Sequence, residues 1–137
     1  MLKPTISTLS IACAAFFAST LAHCDEYPSR PIQVIVPYAG GSGSDITARV
    51  VFERMSASMG QRFVVDNRPA AVGVVGTQAI TKAPPDGYNL LFSASGPLAI
   101  NKVMLRNLPY DPEKDFEPIS FVALLPNIFA VSGKLPV

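Results

Sequence analysis

Tryptophan is absent from this sequence, histidine occurs once, cysteine twice, and charged residues make up only 15% of the chain. Each scarcity removes a class of chemistry. The lone histidine, His23, stands beside an apolar amino-terminal stretch, so neither a Ser-His-Asp arrangement nor a cluster of Cys and His ligands can be assembled. Cys13 lies within that stretch and Cys24 at its edge, which leaves no disulfide framework for the remainder. Formal net charge is +1, and after Lys3 the basic residues are scattered singly from Arg30 to Lys134 without interleaved aromatics. That pattern lacks the basic stripe of a nucleic-acid binder. Asp111, Glu113, Asp115 and Glu117 alternate around Pro112 and Pro118 as a solvated loop would, rather than as a pair of proton-transfer acids. The expectation is no enzyme activity, no metal and no cofactor.

What the chain does have is apolar bulk: hydrophobic residues are 49% of 137, enough to fill the core of one domain of ordinary size. Lys3, the apolar run Ile6 to Leu21 and the small residues around Ala22 have the layout of a secretory signal peptide, assigned to residues 1–24. Cleavage after Ala22 and after Cys24 both fit. An uncleaved anchor is the alternative, but Ser7, Thr8, Ser10, Ser19 and Thr20 dilute the run. Acylation of Cys24 is another, although His23 stands where a lipoprotein box has a small residue. Loss of the leader removes Lys3 and takes the net charge from +1 to zero.

Beyond Cys24 the pattern alternates. Ile32 to Val36 is a β-branched run ended by Pro37 and reads as a buried strand. Tyr38 to Gly43 forms a glycine turn, and a helical pattern carrying Val50, Val51, Met55 and Met59 runs from Ser44 until Gly60 stops it. Arg62 to Asp66 reads as a second strand and Asn67 to Gly76 as a turn of small residues. A helix is expected from Gly76 through Lys82, then a turn at Pro84 to Gly87 and a third strand from Tyr88 to Phe92. Such alternation predicts an α/β fold with a parallel sheet and helices on both faces. Its ligand crevice belongs at the carboxyl ends of the strands, where small residues bare backbone N–H groups near helix starts and favour an anionic guest. Gly41 and Gly43 begin a dinucleotide fingerprint, but Ile46 replaces its third glycine. Ser44 and Asp45 replace the Lys and hydroxyl residue of a phosphate loop.

The stretch from Tyr27 to Val137 resembles the amino-terminal part of the tripartite tricarboxylate transporter receptors, the Bug-type solute-binding proteins. The resemblance rests on Tyr27-Pro28-Ser29-Arg30-Pro31-Ile32, Val36-Pro37-Tyr38-Ala39-Gly40-Gly41 with Asp45, Gly60-Gln61, and Val65-Asp66-Asn67-Arg68-Pro69. Pro85-Asp86-Gly87-Tyr88 and Leu108-Pro109-Tyr110-Asp111-Pro112 with Asp115-Phe116 complete it. It implies a type II periplasmic-binding-protein fold, in which two α/β lobes hold a small carboxylate between them and pass it to membrane permease subunits. It further implies ligand contacts from Tyr38, Ala39, Gly40, Gly41, Asp45, Asn67, Gly73 and Gly76, with hydroxyls from Ser93 and Ser95. For Asp45 the competing reading is a helix-dipole or capping role, and for Arg68 it is ordering of its own loop through neighbouring carbonyls.

Two departures from the family pattern stand out. Ala70, Val72 and Val74 occupy a loop that is usually glycine-rich, and the chain stops at Val137, before an entire second lobe. Residues 25–125 are accordingly assigned to a first lobe. Ile119 to Leu125 would be the strand crossing between lobes, and residues 126–137, with Phe129 to Val131 as a strand, the start of an incomplete second lobe. The expectation is a fragment or truncated product of a receptor. Its rival is a cell-envelope interaction module that takes up no solute.

Overall fold

The computed structural model describes residues 27–134. The leader assigned to residues 1–24, its cleavage site and Cys24 lie outside the described residues.

Strand β1 (Ile32–Val36) is the centre of a three-stranded parallel sheet, flanked by β2 (Phe63–Asn67) and β3 (Asn89–Leu91), in the order β2-β1-β3. Ile32, Val34 and Val36 are fully buried and Ile35 nearly so, while only Gln33 is exposed. This is the continuous apolar run of a strand covered on both faces. The expected boundaries of β2 and β3 differ from these by a residue, yet the ladder does reach further. Ile32 N–H donates to Arg62 O at 2.9 Å, Gln33 N–H to Tyr88 O at 2.8 Å, and Phe92 N–H to Ile35 O at 3.0 Å.

Helix α1 (Gly43–Met59) joins β1 to β2, and α2 (Val74–Thr81) joins β2 to β3. The first connection steps outward from β1 and the second steps back across it. Because parallel crossovers are right-handed, two of them in opposite directions put the helices on opposite faces of the sheet. Ser42 caps α1 by accepting from Asp45 N–H at 3.3 Å, and Gly60, left-handed at φ 68°, ends it with its N–H on Ser56 O. The buried stripe of α1 is Ala48 and Phe52 with Met55, whereas the sequence pattern had included Val50, which is exposed. At about 100° per residue Val50 lies across the helix from Phe52. Helix α2 begins two residues before the expected start and ends one before the expected end, because left-handed Gly73 turns the chain into it.

The core lies under α1. Val34, Val36, Ala48 and Phe52 form it, with Tyr38, Phe63, Val65, Leu90 and Phe92 packed around them. Phe52 stacks on Phe63 at 5.2 Å and meets the edge of Phe92 at 5.8 Å. Beyond β3, a π-helical turn (Gly96–Ile100) runs directly into the short helix α3 (Asn101–Met104). The buried Tyr110 hydroxyl donates to Pro97 O at 2.9 Å and fastens the following loop to that turn.

From Ile119 onward the described residues contain no strand, contrary to both strands expected there. Phe121 and Phe129 are 81% and 95% exposed. A β-branched sequence becomes a strand only where a neighbouring edge completes its hydrogen bonds, and none among the described residues lies alongside.

Candidate ligand site at the carboxyl ends of the strands

In the order β2-β1-β3 the chain goes from β1 to the strand on one side and returns across β1 to the strand on the other, which makes the carboxyl ends of β1 and β3 a switch point. Three loops meet there: Pro37 to Ser42 after β1, Arg68 to Gly73 after β2, and Ser93 to Ser95 after β3.

The first loop is held by one buried carboxylate. Asp45 accepts from Gly41 N–H at 2.8 Å, from Arg49 Nε at 3.0 and 3.1 Å, and from Asn67 Nδ2 at 3.0 Å. Asn67 Nδ2 also donates to Tyr38 O at 3.1 Å, while its Oδ1 accepts from Arg49 Nη2 at 3.0 Å. The hydrogen bond from Arg49, then those from Gly41 and Asn67, hold the Asp45 carboxyl down at about 2, against burial, which acts the other way. Asp45 and Asn67, each expected as a ligand contact, are thus joined to each other, and their polar atoms point at each other and at the loop. Gly41 N–H is likewise engaged. Ala39 and Gly40 are exposed, and among the described residues no hydrogen bond uses their N–H groups. Arg49 was not foreseen; its place four residues after Asp45 on a helix was the available signal.

The second loop packs against the first through glycines. A Cβ on Gly73 would stand 2.8 Å from Pro97 Cγ and 3.2 Å from Pro37 O, and one on Gly76 would stand 2.8 Å from Arg68 O. No side chain fits at either position, so both glycines, expected as ligand contacts, let α2 approach Pro37, and Gly73 also lines the depression between the loops. Ala71, Val72 and Gly73 are all left-handed, at φ 50°, 54° and 83°. A β-branched residue there is an outlier, and Asn101 Nδ2 helps to hold it by donating to Val72 O at 3.2 Å. Arg68 pairs with the Asp66 carboxylate at 2.7 Å rather than with loop carbonyls.

In the third loop Ser95 is exposed and Ser93 Oγ is buried without a partner among the described residues, as is Thr77 Oγ1 in α2. Register aligns Ile35 with Leu91, which sets Ser93 level with Pro37 on the α2 face, the face where Gly73 and Gly76 meet Pro37. Thr77 escaped the sequence reading because burial, not residue type, makes it unusual.

Between the loops lies a depression of about 180 Å³ lined by Pro37, Tyr38, Ala39, Pro69, Val72, Gly73, Gly96 and Pro97. A second depression, of about 310 Å³, is lined by Tyr27, Pro28, Ser29, Met59 and Gln61, at the amino end of the sheet and away from the switch point. Among the described residues no group of His, Cys, Asp and Glu could hold a metal ion. No helix there is long and apolar enough to cross a membrane.

An open parallel sheet with an uncharged, loop-lined depression at its switch point defines an α/β lobe. Residues 47–137 match the family model described as the tripartite tricarboxylate transporter family receptor, and the chain belongs to that family. A UPF0065 protein of Bordetella bronchiseptica is 40% identical over 134 residues, which cover 98% of this chain and 38% of that protein. The chain therefore spans 38% of the length of this curated relative.

Solved relatives share the architecture, so the lobe has the fold of the family's periplasmic binding proteins. The periplasmic binding protein BugD is 35% identical, with a TM-score of 0.61 over 68% of this chain and 31% of its own. MatC of Rhodopseudomonas palustris, with bound malate, is 30% identical, with a TM-score of 0.68 over 70% and 33%. An R. palustris protein with adipate is 34% identical, with a TM-score of 0.62 over 64% and 29%.

Proposed function

We propose that this chain supplies the carboxylate-gathering lobe of a periplasmic receptor, which captures a small carboxylate and passes it to the membrane permease subunits of a tripartite tricarboxylate transporter. The observation that carries the reading is the depression at the strand switch point, with Ala39 and Gly40 exposed beside the start of α1. Backbone N–H groups and a helix start suit an anionic oxygen, and neither calls for a catalytic side chain. Malate and adipate in structural relatives place the guests of similar proteins in the same chemical class. Tyr38, Ala39, Gly40 and Ser95 are assigned to contact. Asp45, Asn67, Gly41, Gly73 and Gly76 are assigned to shaping the loops, and Ser93 to their floor. Residues 25–125 form the lobe in this reading, after a signal peptide at 1–24, and residues 126–137 lead toward a second lobe.

Isothermal titration of the purified chain with a panel of dicarboxylates, tricarboxylates and aromatic acids tests it. Saturable heat with at least one acid is expected. Silence across the panel, beside reproducible association with an envelope protein, would transfer the assignment to an interaction module, a reading that the exposed apolar stretch Ile119 to Val131 favours.

A further inference from the structure

The wall of the depression carries no charge. Pro37, Pro69, Pro97, Ala39 and Val72 present hydrocarbon, and Tyr38 contributes an aromatic ring. The charged groups around it are already committed: Arg49 to Asp45 at 3.0 Å, and Arg68 to Asp66 at 2.7 Å. An entering acid thus meets backbone donors for its carboxylate and apolar surface for the rest. Resting on the carboxylate reading above, we propose that the site selects acids whose body is hydrocarbon, an alkyl chain or an aromatic ring. Acids with the same number of carboxylates that also carry hydroxyl or ammonium groups are disfavoured, with Val72 as a residue that sets this selectivity.

The physical reason is an asymmetry. Methylene groups placed against proline and valine leave water favourably. A hydroxyl or ammonium group placed against that hydrocarbon surrenders its water, and only the hydroxyls of Tyr38, Ser93 and Ser95 at its margin stand near enough to replace any of it. Val72 strengthens the case because the backbone does not ask for it. At φ 54° glycine or asparagine would sit with less strain, yet a branched apolar side chain stands there, 77% exposed at the rim. Its carbonyl is held by Asn101, so its position does not depend on packing of its own methyl groups.

Succinate, malate and tartrate form a series of equal charge and chain length with zero, one and two hydroxyls, and adipate extends the hydrocarbon body. Titration of the chain should give affinities that fall from succinate through malate to tartrate, by about tenfold or more across the series, with adipate at least equal to succinate. In Val72→Asn, which tolerates the left-handed backbone, the ratio should shrink to within about threefold. Equal affinities along the series, or tighter binding of the hydroxylated acids, would overturn the selectivity while leaving the carboxylate receptor standing. Binding of no acid at all would remove both. A ratio unchanged in Val72→Asn, with circular dichroism and thermal midpoint preserved, would overturn the role of Val72.

Discussion

The two ends of this small sheet are built from similar ingredients and finished differently. At the amino end the lead-in to β1 is clasped to the turn before β3. Tyr27 donates from its hydroxyl to Gly87 O at 2.8 Å, Ser29 N–H donates to the Tyr88 hydroxyl at 2.9 Å, and Arg30 pairs with Asp86 at 2.8 Å while lying 4.1 Å over the Tyr88 ring. At the carboxyl end a buried carboxylate fixes the first loop, but the second is left-handed over three residues, two hydroxyls are buried without partners among the described residues, and an apolar hollow stays open. One end closes upon itself. The other keeps strain and unspent donors, the condition expected of a surface that receives something. The motifs Pro28 to Ile32 and Pro85 to Tyr88 resemble the family as closely as the glycine loop does, yet they serve the clasp. Family likeness and ligand contact are separate properties of a residue.

The contrast is broken most severely at Asp45. Asp45→Asn removes the anion that Arg49, Asn67 and Gly41 share, and should cost about 1–3 kcal/mol in urea unfolding and weaken acid binding. The amide signals of Tyr27 to Arg30 should stay in place. The wild-type contribution has a pH signature. The folded carboxyl sits at about 2 against an ordinary value of 3.8, so its stabilisation is fully present above 3.8 and is lost as pH falls through about 2. Stability of Asp45→Asn should lack this acid leg, which chemical denaturation between pH 5 and 2 would reveal.

A smaller effect of opposite sign is expected at Thr77. Replacing its partnerless, fully buried hydroxyl by the methyl of Thr77→Val should be neutral or stabilising, by up to about 1 kcal/mol, as read from the thermal midpoint. Destabilisation instead would mean that the hydroxyl has a partner in solution. The least effect belongs to the clasp: Arg30 and Asp86 are 59% and 37% exposed, so Arg30→Ala should cost below about 1 kcal/mol, less at high salt, and leave acid affinity unchanged.

Much of the fold is legible in local pattern. The run Ile32 to Val36 and Gly60 as a stop each act on neighbours within a turn or two, so spacing alone reveals them, whereas the Ser42 cap, which starts the helix at Gly43 rather than Ser44, was read as part of the turn. The site is less legible. That the Asp45 side chain would engage Asn67, 22 residues away, depends on β2 lying beside β1. That Gly73 and Gly76 allow close approach of the second loop and its helix depends on where Pro37 and Arg68 come to rest.

The sequence by itself determined the α/β alternation and the family, because these follow from residue type and short spacing. Tertiary structure decided the strand order, the depression at its switch point, the left-handed turn at Val72 and which polar groups stay unpaired. It also decided that Ile119 to Val131 has no strand beside it among the described residues. Each of these depends on a partner far along the chain, and local periodicity carries no record of that partner's position.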